Sequence, residues 1–141
     1  MKNHISHIST EVKLAGLWTT LMLLYVYCDI YSFHRTGYVE EILANKIGSF
    51  EVSQGLLAAF GLLMIIPAIM IPACLFLNTK AARWANVIVG ALYTLVNIGN
   101  LLGETWAYYW LYGVCEIVIT IAIFIVAAKW IYRGKIYCTA K

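Results

Sequence analysis

The sequence predicts an all-α membrane protein, a single domain built as an antiparallel bundle of four transmembrane helices. Of its 141 residues 62% are hydrophobic and 12% are charged, whereas soluble domains are roughly half apolar and a quarter charged. The apolar residues fall into four long stretches, each with about the 20 residues that a helix needs to cross a bilayer. Two of the three connections are short, and short connections make consecutive helices antiparallel neighbours.

The four spans are predicted at about residues 12–33, 53–77, 83–103 and 108–130. The second span is the most apolar and contains Pro67 and Pro72. Because proline removes a backbone donor and clashes with the preceding turn, we expect a kink in the second half of this helix.

The first connection is long enough to carry a short amphipathic helix, predicted from Tyr38 to Ile47. Apolar side chains alternate there with Glu40, Glu41 and Lys46, and Gly37 and Gly48 flank the segment as helix breakers. This pattern is typical of a helix that lies in the membrane interface.

Lysine and arginine mark one side of the predicted bundle. They gather in the N-terminal segment, the second connection and the C-terminal segment, which share a side when there are four spans. The positive-inside rule then places both termini in the cytoplasm. The formal charge of +3 is small and sits at helix ends, so nothing indicates nucleic-acid binding.

Polar residues, together with one glycine, recur along one face of the third span. The six positions are separated by four, three, four, three and four residues: Asn86, Gly90, Tyr93, Asn97, Asn100 and Glu104. At roughly 100° per residue they share an arc of about 80°. In an otherwise apolar helix such a polar seam is expected to face other protein, not lipid.

Acidic residues in or beside the spans indicate where a function could lie. A carboxylate in hydrocarbon costs several kcal/mol unless it is protonated, hydrated or paired. The polar faces that carry these acids are expected to converge on an outward-facing cavity. The predicted ligand-binding residues are Asp29, Glu116, Asn97, Asn100, Glu104, Tyr25, Tyr93, Tyr109 and Tyr112.

A cavity of this composition suits a positively charged ligand. Carboxylates ringed by tyrosines favour a cation, or an amphiphile with an amine or hydroxyl head, and a proton is the further candidate. No lysine or arginine lies deep in a span, and no cofactor motif is present. No metal site is predicted, because His34 is the only histidine on that side and its spacing from Asp29 is unfavourable.

Two other functions remain open. In the first, the seam is structural, Glu116 donates to Asn97 or Asn100, and the chain is a non-catalytic assembly or partner-docking subunit. Each such contact contributes about 0.6–2 kcal/mol. In the second, least favoured, two carboxyl groups act as acid and base in a lipid-modifying membrane enzyme.

Cysteine and glycine spacing adds two weaker signals. Cys28 and Cys115 could lie at similar depth, which leaves a disulfide between them open. Gly99 and Gly103 form a GxxxG pattern, which favours close helix packing and permits a homodimer.

Three stretches carry a resemblance that covers nearly the whole chain: YCDIYSFHRTGYVEEILANKIGSFEVSQG, MIIPAIMI and LYTLVNIGNLLGETWAYYWLYG. They resemble a family of small bacterial four-helix membrane proteins of unknown function, which implies an inner-membrane location and no particular activity. The layout, with Asp29 late in the first span and Pro67 and Pro72 in the second, is faintly similar to the emopamil-binding-protein and EXPERA group. That second likeness implies a bundle with acids facing a ligand cavity, without sterol chemistry.

Overall fold

The computed structural model describes residues 8–47 and 50–139, with side chains described as far as Trp130. Its elements are α1 Thr10–Ser32, α2 Tyr38–Leu43, β1 Lys46–Ile47, β2 Phe50–Glu51, α3 Gln54–Phe76, α4 Thr79–Asn100 and α5 Ala107–Thr139.

Four of these helices are long and apolar enough to cross a membrane: α1, α3, α4 and the stretch Ala107–Trp130 of α5. The chain is therefore a multi-pass membrane protein, and the predicted all-α four-helix bundle is confirmed. The bacterial inner membrane and the cytoplasmic termini stay predictions.

The four long helices stand in a ring. Helix α1 packs against α3 and α5, and α4 packs against α5 and, less closely, against α3. Consecutive long helices are thus neighbours, as the short connections predict, while α1 and α4 face each other across the bundle. The main apolar core lies between α1, α3 and α5 and includes Leu14, Trp18, Leu21, Met70 and Ile123.

Helix α4 begins and ends earlier than predicted. Asn78 caps its start, with its side-chain oxygen accepting a hydrogen bond from the Ala81 amide at 3.0 Å, so most of the presumed second connection is helical. The helix ends at Asn100, and Gly103 has a left-handed φ of 83°. The prediction of a helical GxxxG motif is therefore wrong, because Gly99 and Gly103 do not lie on one helix. Helix α5, in contrast, continues to Thr139, beyond the predicted end at residue 130.

The first connection contains a hairpin that the sequence did not suggest. Helix α2 ends at Leu43, not at residue 47, because Asn45 adopts a left-handed φ of 54° that asparagine tolerates better than most residues. Strands β1 and β2 then pair antiparallel, with Lys46 opposite Glu51. Gly37, at a φ of 84°, precedes α2 as a breaker should, and Gly48 lies outside the described residues.

Helix α3 runs on through Pro67 and Pro72, and a kink there stays a prediction. Since Pro67 has no amide hydrogen, the carbonyl of Leu63, four residues earlier, lacks its helical donor. The Tyr93 hydroxyl of α4 donates a hydrogen bond to this carbonyl. A side chain from the neighbouring helix thus satisfies the backbone group that the proline leaves free.

Tyr93→Phe is expected to lower the free energy of unfolding by about 0.6–2 kcal/mol, since it leaves the Leu63 carbonyl unsatisfied in an apolar setting. Reversible unfolding in mixed detergent–SDS micelles, followed by circular dichroism, measures the change. Tyr27→Phe is the matched control, because Tyr27 is 53% exposed. In a Pro67→Ala background the amide donor returns, so the cost of Tyr93→Phe should vanish; an undiminished cost would contradict the assignment.

Candidate functional site

Hydrogen bonds cross the bundle from α1 to the polar seam of α4. Trp18 Nε1 donates to Asn86 Oδ1 at 2.7 Å, and the Tyr25 hydroxyl donates to Asn97 Oδ1 at 2.7 Å. Asn86, Asn97 and the two seam positions between them are buried. The inward orientation of these four positions is therefore confirmed, and Asn86 links α4 to α1 about two turns from the start of each helix.

A small pocket lies beyond Asn97, toward the end of the bundle that carries the first connection. Its volume is about 70 Å³, and its lining comes from all four long helices: Tyr25, Cys28, Asp29, Met64, Asn100, Tyr109, Gly113 and Glu116. The structure thus brings together five of the nine predicted site residues. We call this the acidic pocket.

The two acids of the acidic pocket differ in exposure. Glu116 is 6% exposed, whereas Asp29 is exposed near the end of α1 and Asn100 is exposed at the end of α4. The pocket therefore connects the surface near Asp29 with a buried carboxyl group.

Glu116 has no hydrogen-bond partner for its carboxyl group among the described residues; the Thr120 hydroxyl donates to its backbone carbonyl and not to its side chain. Neither Asn97 nor Asn100 receives a hydrogen bond from it. The structural alternative, in which Glu116 donates to one of these amides, is therefore not the arrangement that forms.

Asn97 lies directly behind the acidic pocket and is itself incompletely satisfied. Its Oδ1 accepts from Tyr25, which lines the pocket, while its fully buried Nδ2 has no partner in the described part of the chain. A buried donor left unpaired costs about 1–3 kcal/mol. At this end of the seam, the hydrogen bonds of the described residues thus leave a buried polar group unsatisfied.

Glu104 lies outside the acidic pocket, in the turn between α4 and α5. Its Oε1 accepts from the amides of Thr105 at 2.8 Å and Trp106 at 3.1 Å. Its Oε2 accepts from Arg35 Nη1 at 2.9 Å, and the Arg35 guanidinium lies 5.3 Å from the centre of the Trp106 ring. Glu104 is therefore a neutralised anchor between two connections, and the sequence analysis missed Arg35 because the partners are 69 positions apart.

The ion pair makes stability depend on pH. Burial works to raise the pKa of Glu104, but hydrogen bonds from the Thr105 and Trp106 amides and from Arg35 outweigh it and hold this pKa below its ordinary value. In the unfolded chain the pKa of Glu104 is about 4.3, and above this pH the carboxylate makes its full contribution to stability. The contribution is lost as the pH falls through the lower pKa that Glu104 has in the folded chain.

Glu104→Gln is accordingly expected to destabilise the protein by about 1 kcal/mol at neutral pH, and the deficit should shrink as the pH falls below about 4 and the carboxylate is protonated. Thermal melts of both proteins across this pH range measure it. Glu40→Gln, at an exposed position of α2, should show no such trend. A deficit that is independent of pH would contradict the ion-pair explanation.

The remaining predicted residues lie beside the acidic pocket and do not line it. Tyr93 serves the Leu63 carbonyl, and Tyr112 packs near Tyr31 with ring centres 6.1 Å apart. Cys28 is buried, Cys115 is exposed and both are free, so they form no disulfide.

Three lining residues escaped the sequence analysis, namely Cys28, Met64 and Gly113. Gly113 precedes Glu116 by three positions, so helical spacing alone could have placed it on the same face. Met64 belongs to the most apolar span, and nothing in its local pattern marks it.

Comparison with known proteins gives a family and no activity. Residues 1–135 match the model of a family of unknown function (DUF6326). No curated protein and no solved structure matches the chain. The faint likeness to the emopamil-binding-protein and EXPERA group receives no support.

Proposed function

Because the chain belongs to this family of unknown function, we propose its role from the geometry alone: the acidic pocket binds a proton or a small monovalent cation. Asp29 at the surface and Glu116 inside supply the negative charge. Tyr25, Tyr109 and Asn100 supply polar atoms around the bound charge.

The absence of a countercharge in the pocket lining is the observation that carries this proposal. Among the described residues, two carboxyl groups line the acidic pocket and no basic side chain does. Arg35, the basic residue that follows α1, is engaged by Glu104. Since neighbouring carboxylates repel each other and an unpaired one is costly in an apolar setting, uptake of a positive charge is the direct way to neutralise them.

The size of the acidic pocket favours a small ligand over an amphiphile. Its volume is about 70 Å³. Pockets for drug-sized molecules measure about 300–1,000 Å³. Of the ligands that the composition suits, a proton or a small cation therefore fits this conformation.

The structural alternative explains one half of the seam. Asn86 and Asn97 accept hydrogen bonds across the bundle, and Tyr93 serves a free carbonyl. These contacts use the seam inside the chain itself, which argues against a docking site for a partner at those positions. They do not account for the carboxyl group of Glu116.

The test is proton binding by the purified chain in detergent micelles, followed with a pH-sensitive dye in weakly buffered solution. After a small addition of acid at neutral pH, the wild-type chain should take up more protons than Glu116→Gln. Glu40→Gln, the same change on the exposed helix α2, should keep the wild-type uptake. Addition of sodium chloride should displace protons if the site takes a small cation, whereas choline chloride, whose cation is larger, should not.

Circular dichroism distinguishes loss of function from loss of fold. Glu116→Gln should retain the helical spectrum and the melting temperature of the wild type. If uptake is unchanged in Glu116→Gln while its melting temperature falls, Glu116 is a structural residue and the proposal is wrong.

A further inference from the structure

A second pocket lies at the opposite end of the bundle, where α1 begins and the span of α5 ends. Its lining consists of Thr10, Lys13, Val126, Lys129 and Trp130, and its volume is about 240 Å³. These residues come from the first turns of α1 and the last turns of the span Ala107–Trp130. The pocket is therefore at the level where lipid headgroups meet the ends of membrane helices. We call it the basic pocket.

Positive charge dominates this end of the molecule. Lys13 and Lys129 line the basic pocket, and the Arg83 guanidinium lies 5.0 Å from the centre of the Trp130 ring. Of the seven acidic residues in the sequence, only Glu11 lies at this end. The described residues form a single ion pair, Arg35–Glu104, at the other end, so no acidic side chain among them is paired with the two pocket lysines.

The Arg83 side chain adds an independent sign that this region is built for an anion. Its Nε is buried and has no hydrogen-bond partner within the described residues. Stacking on Trp130 fixes the guanidinium beside the basic pocket. A buried N–H donor without an acceptor destabilises the fold. A nearby anion lowers this free-energy cost, either by accepting a hydrogen bond or by electrostatic attraction to the guanidinium.

We propose that the basic pocket binds the phosphate of an anionic phospholipid headgroup. Lys13 and Lys129 supply the charge, and the Thr10 hydroxyl supplies a further donor. Basic pockets between membrane helices are a recurrent way of holding acidic lipid heads. Val126 and Trp130 add apolar surface to the lining, which suits the glycerol and acyl region of a lipid and disfavours a free, fully hydrated phosphate ion.

Lipid binding by the full chain in detergent, measured by native mass spectrometry, tests this proposal. Phosphatidylglycerol should remain bound in preference to phosphatidylcholine. The double variant Lys13→Gln/Lys129→Gln should lose affinity for phosphatidylglycerol by about tenfold or more, as expected for two lysines near an anionic headgroup. Lys13→Arg/Lys129→Arg should restore it, because the charge is kept.

A charge-matched control separates the pocket from overall charge. Lys46→Gln/Lys80→Gln also removes two lysines, one from β1 and one from the start of α4, and neither lines the basic pocket. It should leave the affinity unchanged. Equal loss in both double variants, or no preference for phosphatidylglycerol in the wild type, would overturn the proposal. Competition by inorganic phosphate as effective as that by phosphatidylglycerol would also overturn it, because the site would then take phosphate without lipid.

Discussion

Trp18→Ala is expected to lower the free energy of unfolding by about 3–5 kcal/mol, the range for truncation of a fully buried aromatic side chain. Trp18 is completely buried, and its ring meets that of Tyr93 edge to face, with centres 6.1 Å apart. The change leaves a cavity between α1 and α4 and removes the indole donor of Asn86. In a bilayer, where apolar attraction between helices is weak, lost packing and lost hydrogen bonds are the main costs.

Trp84→Ala is the control for this variant. Trp84 lies on α4, close to Asn86 in the sequence, but its side chain is 59% exposed. Its truncation should change the unfolding free energy little, as measured by reversible SDS unfolding in micelles. Trp18→Phe, which keeps a ring and removes the indole donor, should fall between the two. Equal costs for Trp84→Ala and Trp18→Ala would contradict the inward orientation of the seam.

Gly90→Leu is expected to destabilise the bundle by about 1–3 kcal/mol or more, because leucine does not fit between α4 and α5. A Cβ at Gly90 would already lie 3.2 Å from Ile123 Cγ2 and 3.4 Å from the backbone nitrogen of Phe124. Backbone atoms do not move aside as a flexible side chain does, so the two helices must separate. This cost outweighs the gain of about 1 kcal/mol from replacing glycine inside a helix.

Gly99→Leu, on the same helix, is expected not to destabilise the bundle. A Cβ at Gly99 would meet nothing within 4 Å, so the helix-propensity gain should appear alone, as neutral or slightly higher stability. Thermal melts of both variants compare the two positions. If both variants lose the same stability, the close approach of α4 and α5 at Gly90 is not what the glycine provides. Size-exclusion chromatography of Gly99→Leu also tests whether this glycine takes part in a homodimer.

The sequence analysis succeeded where a pattern is local. Helical spacing placed Asn86, Tyr93 and Asn97 on one buried face, because the rise and turn of a helix are set by its own backbone. It erred at element ends. The Asn78 cap and the left-handed Asn45 depend on the conformation of single residues, which apolar periodicity does not report.

The candidate site was partly predictable for the same reason. Asp29 and Glu116 were predicted to meet because each lies on a polar face of a span, and both line the acidic pocket. Glu104 was assigned to the same cavity because it continues the seam of α4 in sequence. Helix α4 ends at Asn100, four positions before Glu104. Glu104 therefore does not lie on the seam face of the helix, and it pairs with Arg35 instead.

The sequence by itself determined that this chain forms membrane-spanning helices and which side chains share a face of each helix. Both properties follow from composition and from backbone geometry within one element. Only the tertiary structure decided which individual side chains and backbone groups touch: Trp18 with Asn86, Tyr93 with the Leu63 carbonyl that Pro67 leaves free, and Glu104 with Arg35. Such pairings depend on how separate segments pack, and residue spacing within one helix does not specify the partner on another.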